Sequence, residues 1–407
     1  MLDAAIARNA AAREELDRLS RNAGGPGAQP VDVAVTMNEV NDRHGTGPLV
    51  QRVFQDKRNV LSIRTRNDWG FQNFGDWQIR LSHQGRTRQQ SYAAVLAALS
   101  GRKVRHVVCV PYLPDELVTS IVLRDSFRAR LCAWVMDDQN VADHRISDAL
   151  MREFLEKSHL RFATHPELRD AYQRKFALPF SILPAIVPSS LIARVVQEPS
   201  TQRIALLGSF WDQAWFDKLC DVLAHGVFAQ SEAQVDWYGN NRSPWVRFPA
   251  EELRRARIQA HGVVPEPELA VELRKYPVVI VPVAAKIHDQ SNPGVASLSL
   301  PGRILFAMAA AHTPILVMGS EETCGARFVR HFGIGEVVPY EYRAVQEAMD
   351  RLREPLRQKE IRERAAAAAA HFSDFGVADW LEQSIALGAP ADARFEEAFA
   401  GYRTNSD

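Results

Sequence analysis

The chain has 407 residues, of which 46% are hydrophobic and 24% are charged, and its formal net charge is zero. This length predicts two domains, and the balanced charge provides no general attraction to nucleic acid or to a membrane. The four cysteines lack the close spacing of a zinc site, and neither an apolar leader nor an apolar run of membrane length is seen, so a cytoplasmic protein without a bound metal is expected.

The first part of the chain predicts one helix and then a regular alternation. Residues 1–30 are interpreted as an accessory helix, "MLDAAIARNAAAREELDRLS", with a linker rich in glycine and proline. In residues 31–190, apolar strands such as "VDVAVTM" and "VRHVVCV" alternate with helices such as "RQQSYAAVLAALSG". Continuous apolar strands in this order predict a parallel sheet covered on both faces.

A stretch with three prolines, "LPAIVPSSLIARVVQEPSTQ", interrupts the pattern and is interpreted as the crossover between domains. The alternation restarts at "RIALLGSF", so residues 201–372 predict a second domain of the same kind. Residues 373–407 are expected to form a helical segment that packs back on the first domain. The predicted fold class is therefore α/β, with two Rossmann-like doubly wound domains facing a central cleft and ligands beyond the carboxyl ends of the strands.

An arginine stands at the entrance of a buried helix in "SLSLPGRILFAMAAAHTPILVMGS". Pro301 and Gly302 suit the first helical positions, and Arg303 follows in a turn where the helix dipole is already positive. Free N–H groups beside a cation predict a bound anion, such as a phosphate, whereas a salt bridge to a surface carboxylate is the alternative. The long polar loop before this helix adds three candidate ligands for sugar or phosphate: His288, Asp289 and Ser299.

Three further loops combine glycine with a small polar residue just after a predicted strand. Their backbone N–H groups are suited to a phosphate, a base or a sugar, although an ordinary strand-to-helix turn is the alternative. The candidate donor-binding residues are Gly45, Thr46 and Gly47 in "HGTG", Gly208 and Ser209 in "LLGSF", and Gly239 and Asn240 in "DWYGN".

Two carboxylates, Asp137 and Asp138, end the buried strand "ARLCAWVM". Adjacent strand residues point in opposite directions, so one of the two is expected to face the site and to act as general base or to orient an acceptor. A helix cap or a loop salt bridge is the alternative. The pair also suggests metal-binding carboxylates, but the surrounding pattern does not favour a metal site.

Residues 50–105 contain eleven Lys and Arg against three Asp, a local excess of eight positive charges. The same stretch holds the aromatic run "NDWGFQNFGDW", so Trp69, Arg64 and Arg66 are candidate acceptor-binding residues. An anionic acceptor or an anionic membrane surface would suit this face. A solvated basic surface over a small satellite core is the alternative, and binding of single-stranded nucleic acid is not favoured.

In this order the pieces resemble the GT-B glycosyltransferases, specifically the family-4-like group (glycosyl transferases group 1), over nearly the whole chain from Val31 onward. Four stretches support the resemblance: "HGTG", "LLGSF", "HGVVPEPELAVELRKYPVVIVPV" and the helix after Pro301. It implies a metal-independent enzyme without a cofactor. Such an enzyme moves a sugar, with retention, from a nucleoside diphosphate sugar to a glycan or lipid-linked acceptor in polysaccharide or glycoconjugate synthesis.

The resemblance also implies roles and shows two departures. It places the loop at Gly45 over the donor diphosphate, gives Arg303 the basic position of the helix, and places an acidic or His residue, here Asp137 or Asp138, facing the sugar or acceptor. Where the family has an Arg and a Lys after the glycine of "LLGSF", this chain has Trp211 to Gln213. Phe306 replaces the glutamate that grips the ribose. A sugar-nucleotide epimerase and a non-catalytic binding protein of the same fold are therefore the alternatives.

Overall fold

The computed structural model describes residues 30–404, apart from residue 211 and residues 228–233, 242–245 and 285–296. The chain forms two compact units. The first ends at Leu183 and also includes Gly376–Ala393, and the second consists of Pro184–Phe375 and the chain from Arg394 onward. The helix expected near the amino terminus lies outside the described residues.

The first unit is built on a seven-stranded parallel sheet with the order β3-β2-β1-β4-β5-β6-β7. Its strands are β1 Pro30–Thr36, β2 Val60–Arg64, β3 Trp77–Arg80, β4 Lys103–Cys109, β5 Arg130–Val135, β6 Leu160–Ala163 and β7 Ser181–Ile182. The central strands are buried along almost their whole length, which explains their continuous apolar sequences. Strand β3 was not among the predicted elements, because it is a short edge strand that alternates between exposed and half-buried residues.

Five helices connect these strands: α1 Thr46–Val53, α2 Arg88–Ala98, α3 Pro114–Phe127, α4 Asp148–Lys157 and α5 Pro166–Phe176. Their starts follow local chemistry. Thr87 and Gln90 form a reciprocal capping box at α2, and Ser147 caps α4 through the N–H of Leu150. Pro114 occupies the first turn of α3, where its missing N–H costs nothing.

The second unit has a six-stranded parallel sheet with the order β10-β9-β8-β11-β12-β13. Its strands are β8 Ile204–Leu207, β9 Val235–Tyr238, β10 Ile258–Gly262, β11 Val279–Pro282, β12 Ile315–Met318 and β13 Gly335–Val338. Its main helices are α6 Gln213–Val222, α7 Ala250–Arg255, α8 Glu266–Leu273, α9 Gly302–Phe306, α10 Cys324–Phe332, α11 Tyr342–Arg353 and α12 Pro355–Ala369. The sequence predicted that the helix at α7 extends to Ala260. Its end is wrong, because strand β10 already begins at Ile258.

Helix α9 differs in detail from its prediction. Pro301 is the N-cap, so the first helical residue is Gly302 and Arg303 is the second. The helix continues without a break into a π-helical turn, Ala307–Ala311, and ends at His312 in the left-handed conformation with φ 56°. A π-turn accommodates one extra residue in a helix, and such turns are frequent near functional sites.

Two short helices end the described chain, α13 Val377–Leu387 in the first unit and α14 Arg394–Ala398 in the second. Helix α13 packs on α1 and is held there by ion pairs: Lys57 Nζ lies 2.6 Å from a carboxylate oxygen of Asp379 and 2.7 Å from one of Glu382. Arg105 joins the same cluster, 2.8 Å from Glu382. The first unit is therefore completed by a helix that follows the second sheet in the sequence.

Candidate functional site

The carboxyl ends of β8, β9 and β10 meet through their glycines. The N–H of Gly208 donates to the carbonyl of Tyr238 at 2.8 Å, and the N–H of Gly239 donates to the carbonyl of Gly262 at 2.9 Å. The indole Nε1 of Trp237 donates back to the carbonyl of Gly208 at 2.8 Å. Two of the predicted donor-binding loops are thus brought together at one edge of the sheet.

Arg303 lies on these loops. Its Nη1 donates to the carbonyl of Ser209 at 3.0 Å, and its Nη2 donates to the carbonyl of Pro282 at the end of β11, at 2.8 Å. Gly208, with φ 111°, leaves the space that the guanidinium occupies, because a Cβ atom there would lie 2.0 Å from Nη1. The structure therefore assembles Gly208, Ser209 and Arg303 into one cluster, as Arg303 bridges the ends of two strands.

The charge of Arg303 is not balanced within this cluster. The two carbonyl oxygens accept hydrogen bonds from Arg303 but carry no formal charge, and among the described residues no carboxylate forms an ion pair with it. Its Nε is buried and has no hydrogen-bond partner in the described part of the chain. Burial lowers the pKa of Arg303 to about 10, so the group is still charged at neutral pH. A guanidinium that is partly withdrawn from water and has no carboxylate partner among the described residues favours an anion.

The other predicted donor residues lie around the entrance of α9 or outside the described residues. Ser299, Pro301 and Asn240 are half-buried. Gly302 is exposed, and the nearest atom to a Cβ at its position is 3.9 Å away. His288 and Asp289 fall in residues 285–296, outside the described chain.

Both departures from the family pattern have structural roles here. Asp212 is the N-cap of α6 and accepts from the N–H of Ala214 at 2.7 Å, while Gln213 bonds to Asp217 at 2.8 Å. These two residues therefore begin a helix. Phe306 is only 8% exposed and belongs to the core of the second unit. Of the positions compared, Arg303 alone keeps the basic side chain that the resemblance implies.

In the first unit, a tyrosine joins two of the predicted loops. The hydroxyl of Tyr112 donates to Asp137 Oδ2 at 2.7 Å and lies 3.0 Å from the hydroxyl of Thr46. Burial raises the pKa of Tyr112 well above its usual value, so the hydroxyl stays protonated. Its single hydrogen is used in the bond to Asp137. Thr46 must then be the donor of its own bond to Tyr112. The sequence prediction missed Tyr112, although it follows the carboxyl end of β4.

Asp138 has a different role from its neighbour. Its two carboxylate oxygens accept from four successive backbone N–H groups, those of residues 140–143, at 2.7 to 3.1 Å. The hydroxyl of Tyr172 also donates to it, at 3.2 Å. Asp138 is 4% exposed and holds its loop in shape. With both oxygens of Asp138 occupied in this way, the two carboxylates do not form a metal-binding pair.

The two glycines of the loop "HGTG", Gly45 and Gly47, also have different roles. A Cβ at Gly47 would lie 1.8 Å from the carbonyl oxygen of Asn41, so this position must be glycine for the loop to close on itself. Gly45 has no atom within 4 Å of a Cβ position and is exposed. Gly45 and Thr46 therefore remain available to a ligand, whereas Gly47 is needed for the backbone.

The predicted basic face is partly neutralised. Lys57 and Arg105 bind acidic residues of α13, and Arg88 pairs with Glu153. Arg64 ends β2 half-buried, and Arg66 is exposed. Within the residues that the structure describes, no helix combines the length and apolar character needed to cross a bilayer.

Comparison with known proteins identifies the fold. No family model and no curated protein sequence matches the chain. Among solved structures, WaaG, a glycosyltransferase involved in lipopolysaccharide biosynthesis, matches with a TM-score of 0.57 and 13% identity, covering 88% of this chain and 99% of that one. A glycosyltransferase from Rickettsia africae matches with a TM-score of 0.58 and 13% identity, covering 89% of this chain and 99% of that one. A UDP-N-acetylglucosamine 2-epimerase matches with a TM-score of 0.56 and 11% identity, covering 90% of this chain and 98% of that one.

These likenesses, together with two parallel α/β sheets, show the GT-B fold and confirm the predicted fold class. At 11–13% identity they concern the fold alone. What the chain does must therefore be argued from its own residues.

Proposed function

We propose that this protein is a glycosyltransferase that takes a sugar from a nucleoside diphosphate sugar and transfers it to a glycan or lipid-linked acceptor. The observation that carries the proposal is Arg303, a half-buried cation with a buried Nε and no carboxylate partner among the described residues, at the carboxyl ends of β8 and β11. In parallel α/β sheets this edge is where ligands bind. A diphosphate supplies the negative charge that the guanidinium lacks.

In the proposed reaction, the bond between the sugar and the diphosphate breaks and negative charge collects on the leaving diphosphate. Arg303 is held by two carbonyls before the ligand arrives, so it stabilises that charge without first being reorganised. Transfer with retention is the part of this proposal that rests on the family resemblance, and a location at the inner face of a membrane rests on the excess of basic residues between positions 50 and 105.

The first unit is proposed to supply the acceptor side. Asp137 is held by the hydroxyl of Tyr112 next to the loop of Gly45 and Thr46. A carboxylate fixed in this way can accept a hydrogen bond from a sugar or acceptor hydroxyl and can take its proton. Asp138 is excluded from this role because its oxygens are occupied by backbone N–H groups.

A sugar-nucleotide epimerase is the second candidate, supported by the likeness to an epimerase over 90% of the chain. The two activities differ in their need for an acceptor. Turnover of a nucleoside diphosphate sugar into an isomer, without any acceptor, would identify the epimerase. Turnover that depends on an added glycan would identify the transferase.

The experiment that tests the proposal is a thermal-shift screen with UDP, GDP, ADP, CMP and dTDP, each beside its nucleoside. A ligand that binds only the folded chain raises the melting temperature as its concentration exceeds its Kd. We expect one nucleoside diphosphate to stabilise the protein. Replacing Arg303 with Ala should weaken that binding by roughly 10- to 150-fold, the effect of a lost charge-assisted bond of about 1.5–3 kcal/mol, while the nucleoside is affected much less.

The matched control is Arg343→Ala, because Arg343 is an exposed arginine of the same unit. It should leave both shifts unchanged. The proposal is contradicted if no nucleoside diphosphate stabilises the native protein, or if Arg303→Ala weakens nucleoside and nucleoside diphosphate equally.

A further inference from the structure

Two loops are joined side by side at the carboxyl edge of the first sheet, residues 37–45 after β1 and residues 65–75 after β2. The N–H of Val40 donates to the side-chain oxygen of Gln72 at 2.8 Å. The amide nitrogen of Gln72 donates in turn to Ser62 Oγ, inside β2, at 2.8 Å. The second loop is therefore anchored both to the first loop and to the sheet.

Trp69 is the residue that these contacts hold most closely. Its N–H donates to Glu39 Oε2 at 3.1 Å, and its carbonyl accepts from Arg43 Nη1 at 3.0 Å. In the amide orientation that satisfies both partners, the side chain of Asn38 accepts from the indole Nε1 at 3.1 Å. All three polar groups of Trp69 are thus bonded to the first loop, yet its side chain remains partly exposed.

A histidine backs the indole ring. The rings of His44 and Trp69 are stacked, with centroids 5.8 Å apart and planes 29° apart. Burial lowers the pKa of His44, so the ring is neutral at pH 7, and its Nε2–H can donate to the backbone carbonyl of Glu39 at 2.5 Å. The stacked ring is therefore itself fixed in orientation.

The anchoring carboxylate is costly to bury. The Glu39 side chain is 0% exposed, and its Oε2 accepts from the N–H groups of Asp68 and Trp69 at 3.2 and 3.1 Å. Its Oε1 has no partner among the described residues. A carboxylate that is withdrawn from water and only half satisfied opposes stability. Its bond to the backbone of Trp69, whose side chain is partly exposed, is typical of support for a binding site rather than of a core.

We propose that Trp69, backed by His44, is a platform on which a sugar ring stacks; that this sugar belongs to the acceptor rests on the proposed function. An indole offers a flat apolar surface to the apolar face of a sugar ring. Polar groups near it offer partners for hydroxyl groups: Arg66 and Asp68 are close to it in the sequence, and Arg43 bonds to its carbonyl. Because the ring is held in place beforehand, little entropy is lost when the ligand binds.

A membrane is a poorer occupant of this surface. Phe71 is 78% exposed, but it is the only large hydrophobic residue that is strongly exposed in the described chain between residues 37 and 75. Its carbonyl accepts from the side chain of Asn41 at 3.0 Å, which keeps its backbone in the loop. One aromatic side chain offers too little apolar area to hold a protein on a bilayer.

The test is binding of the full chain to an array of immobilised oligosaccharides. The native protein should bind at least one glycan, and Trp69→Ala should weaken that binding roughly tenfold or more. Trp69→Phe, which keeps an aromatic face, should retain part of it. Phe71→Ala is the matched control from the same loop and should bind as the native protein does. If Trp69→Ala does not fold, His44→Ala should give a several-fold loss.

Three results would overturn the platform. In the first, the native protein binds no glycan. In the second, Trp69→Ala binds glycan as the native protein does. In the third, the native protein binds phosphatidylglycerol vesicles instead of glycans, and both Trp69→Ala and Phe71→Ala abolish that binding. The thermal shift by nucleoside diphosphate, measured on the same variants, separates this inference from the proposed function. Trp69→Ala should leave that shift intact, and Arg303→Ala should leave glycan binding intact.

Discussion

Arg303 and Gly208 occupy one shared space: the guanidinium Nη1 lies 2.0 Å from where a Cβ at position 208 would begin. The two residues are 95 positions apart, one after the first strand of the second unit and the other in α9. Each therefore restricts the other. Position 208 can carry no side chain while the arginine bridges the carbonyls of Ser209 and Pro282.

Gly208→Ala should displace Arg303 and weaken binding of the stabilising nucleoside diphosphate at least as much as Arg303→Ala does. It should also lower the free energy of unfolding by more than the roughly 1–2 kcal/mol expected for an alanine at positive φ, because an atomic overlap is added. Gly401→Ala is the control. Gly401 has φ 74° with no atom within 4 Å of its Cβ position, so it reports backbone strain alone. Equal nucleotide affinity in both variants would contradict the shared-space argument.

Asn substitutions at Asp137 and Asp138 should have opposite effects. Asp138→Asn removes the charge that four backbone N–H groups bind, so the free energy of unfolding should fall by about 2 kcal/mol or more. Asp137→Asn should leave stability nearly unchanged and lower turnover. Urea unfolding and sugar-transfer assays on both variants provide the comparison. Full turnover by Asp137→Asn would show that its carboxylate takes no part in the reaction.

Tyr112→Phe and Thr46→Val should each reduce turnover through the same interaction. Tyr112 bonds to Thr46 and to Asp137, so removing either hydroxyl breaks the connection between the loop and the carboxylate. The double variant should therefore lose less than the sum of the two single effects, with a coupling energy of about 0.5–3 kcal/mol. The effect should appear in kcat more than in KM. Thr46→Ser, which keeps the hydroxyl, should restore activity, and strictly additive losses would refute the connection.

His312 should make the second unit less stable in mild acid. Burial, helped by Arg274 and Arg362, lowers its pKa from 6.5 to about 4, and neither ring nitrogen has a hydrogen-bond partner among the described residues. The unfolded chain therefore takes up a proton on His312 as the pH falls from about 6.5 to 4, while the folded chain does not. Stability from this group is present above pH 6.5 and is lost across that window, by about 2 kcal/mol at pH 5.

The measurement is the difference in unfolding free energy between the native protein and His312→Asn, at pH 5 and at pH 7.5. Asparagine tolerates the left-handed conformation that His312 adopts, so the backbone is kept. The variant should lose less stability than the native protein on acidification, and other titrating groups cancel in the difference. Parallel pH profiles would show that His312 is not the group responsible.

Periodicity predicted the α/β fold because the strands are buried on both faces and read as unbroken apolar runs. Val33, Val107 and Ile280, for example, are wholly buried in central strands. Strand β3 escaped prediction because an edge strand lacks that signal. The end of α7 was misplaced because "RIQAHG" has a helix-like composition, and its strand character comes from pairing with β9.

The site was predictable only where chemistry is local. A glycine after a strand and an arginine at a helix entrance can be recognised in the sequence, and the structure brings Gly208, Gly239 and Arg303 together. The role of Tyr112 could not be foreseen, since its partners lie 66 and 25 residues away. The occupation of Asp138 by its own loop was partly foreseeable, because an aspartate two residues before an asparagine is typical of a turn.

The return of residues Gly376–Ala393 to the first unit sets the order in which the protein can mature on the ribosome. Domains generally fold in the order of their synthesis, the first one soonest. Here the unit that is made first keeps an uncovered side, where α13 binds, until residues 376–393 have followed the 192 residues of Pro184–Phe375. The second unit likewise waits for α14. The first unit is therefore completed only after most of the second unit has been made, and the two are completed within a short stretch of chain of each other.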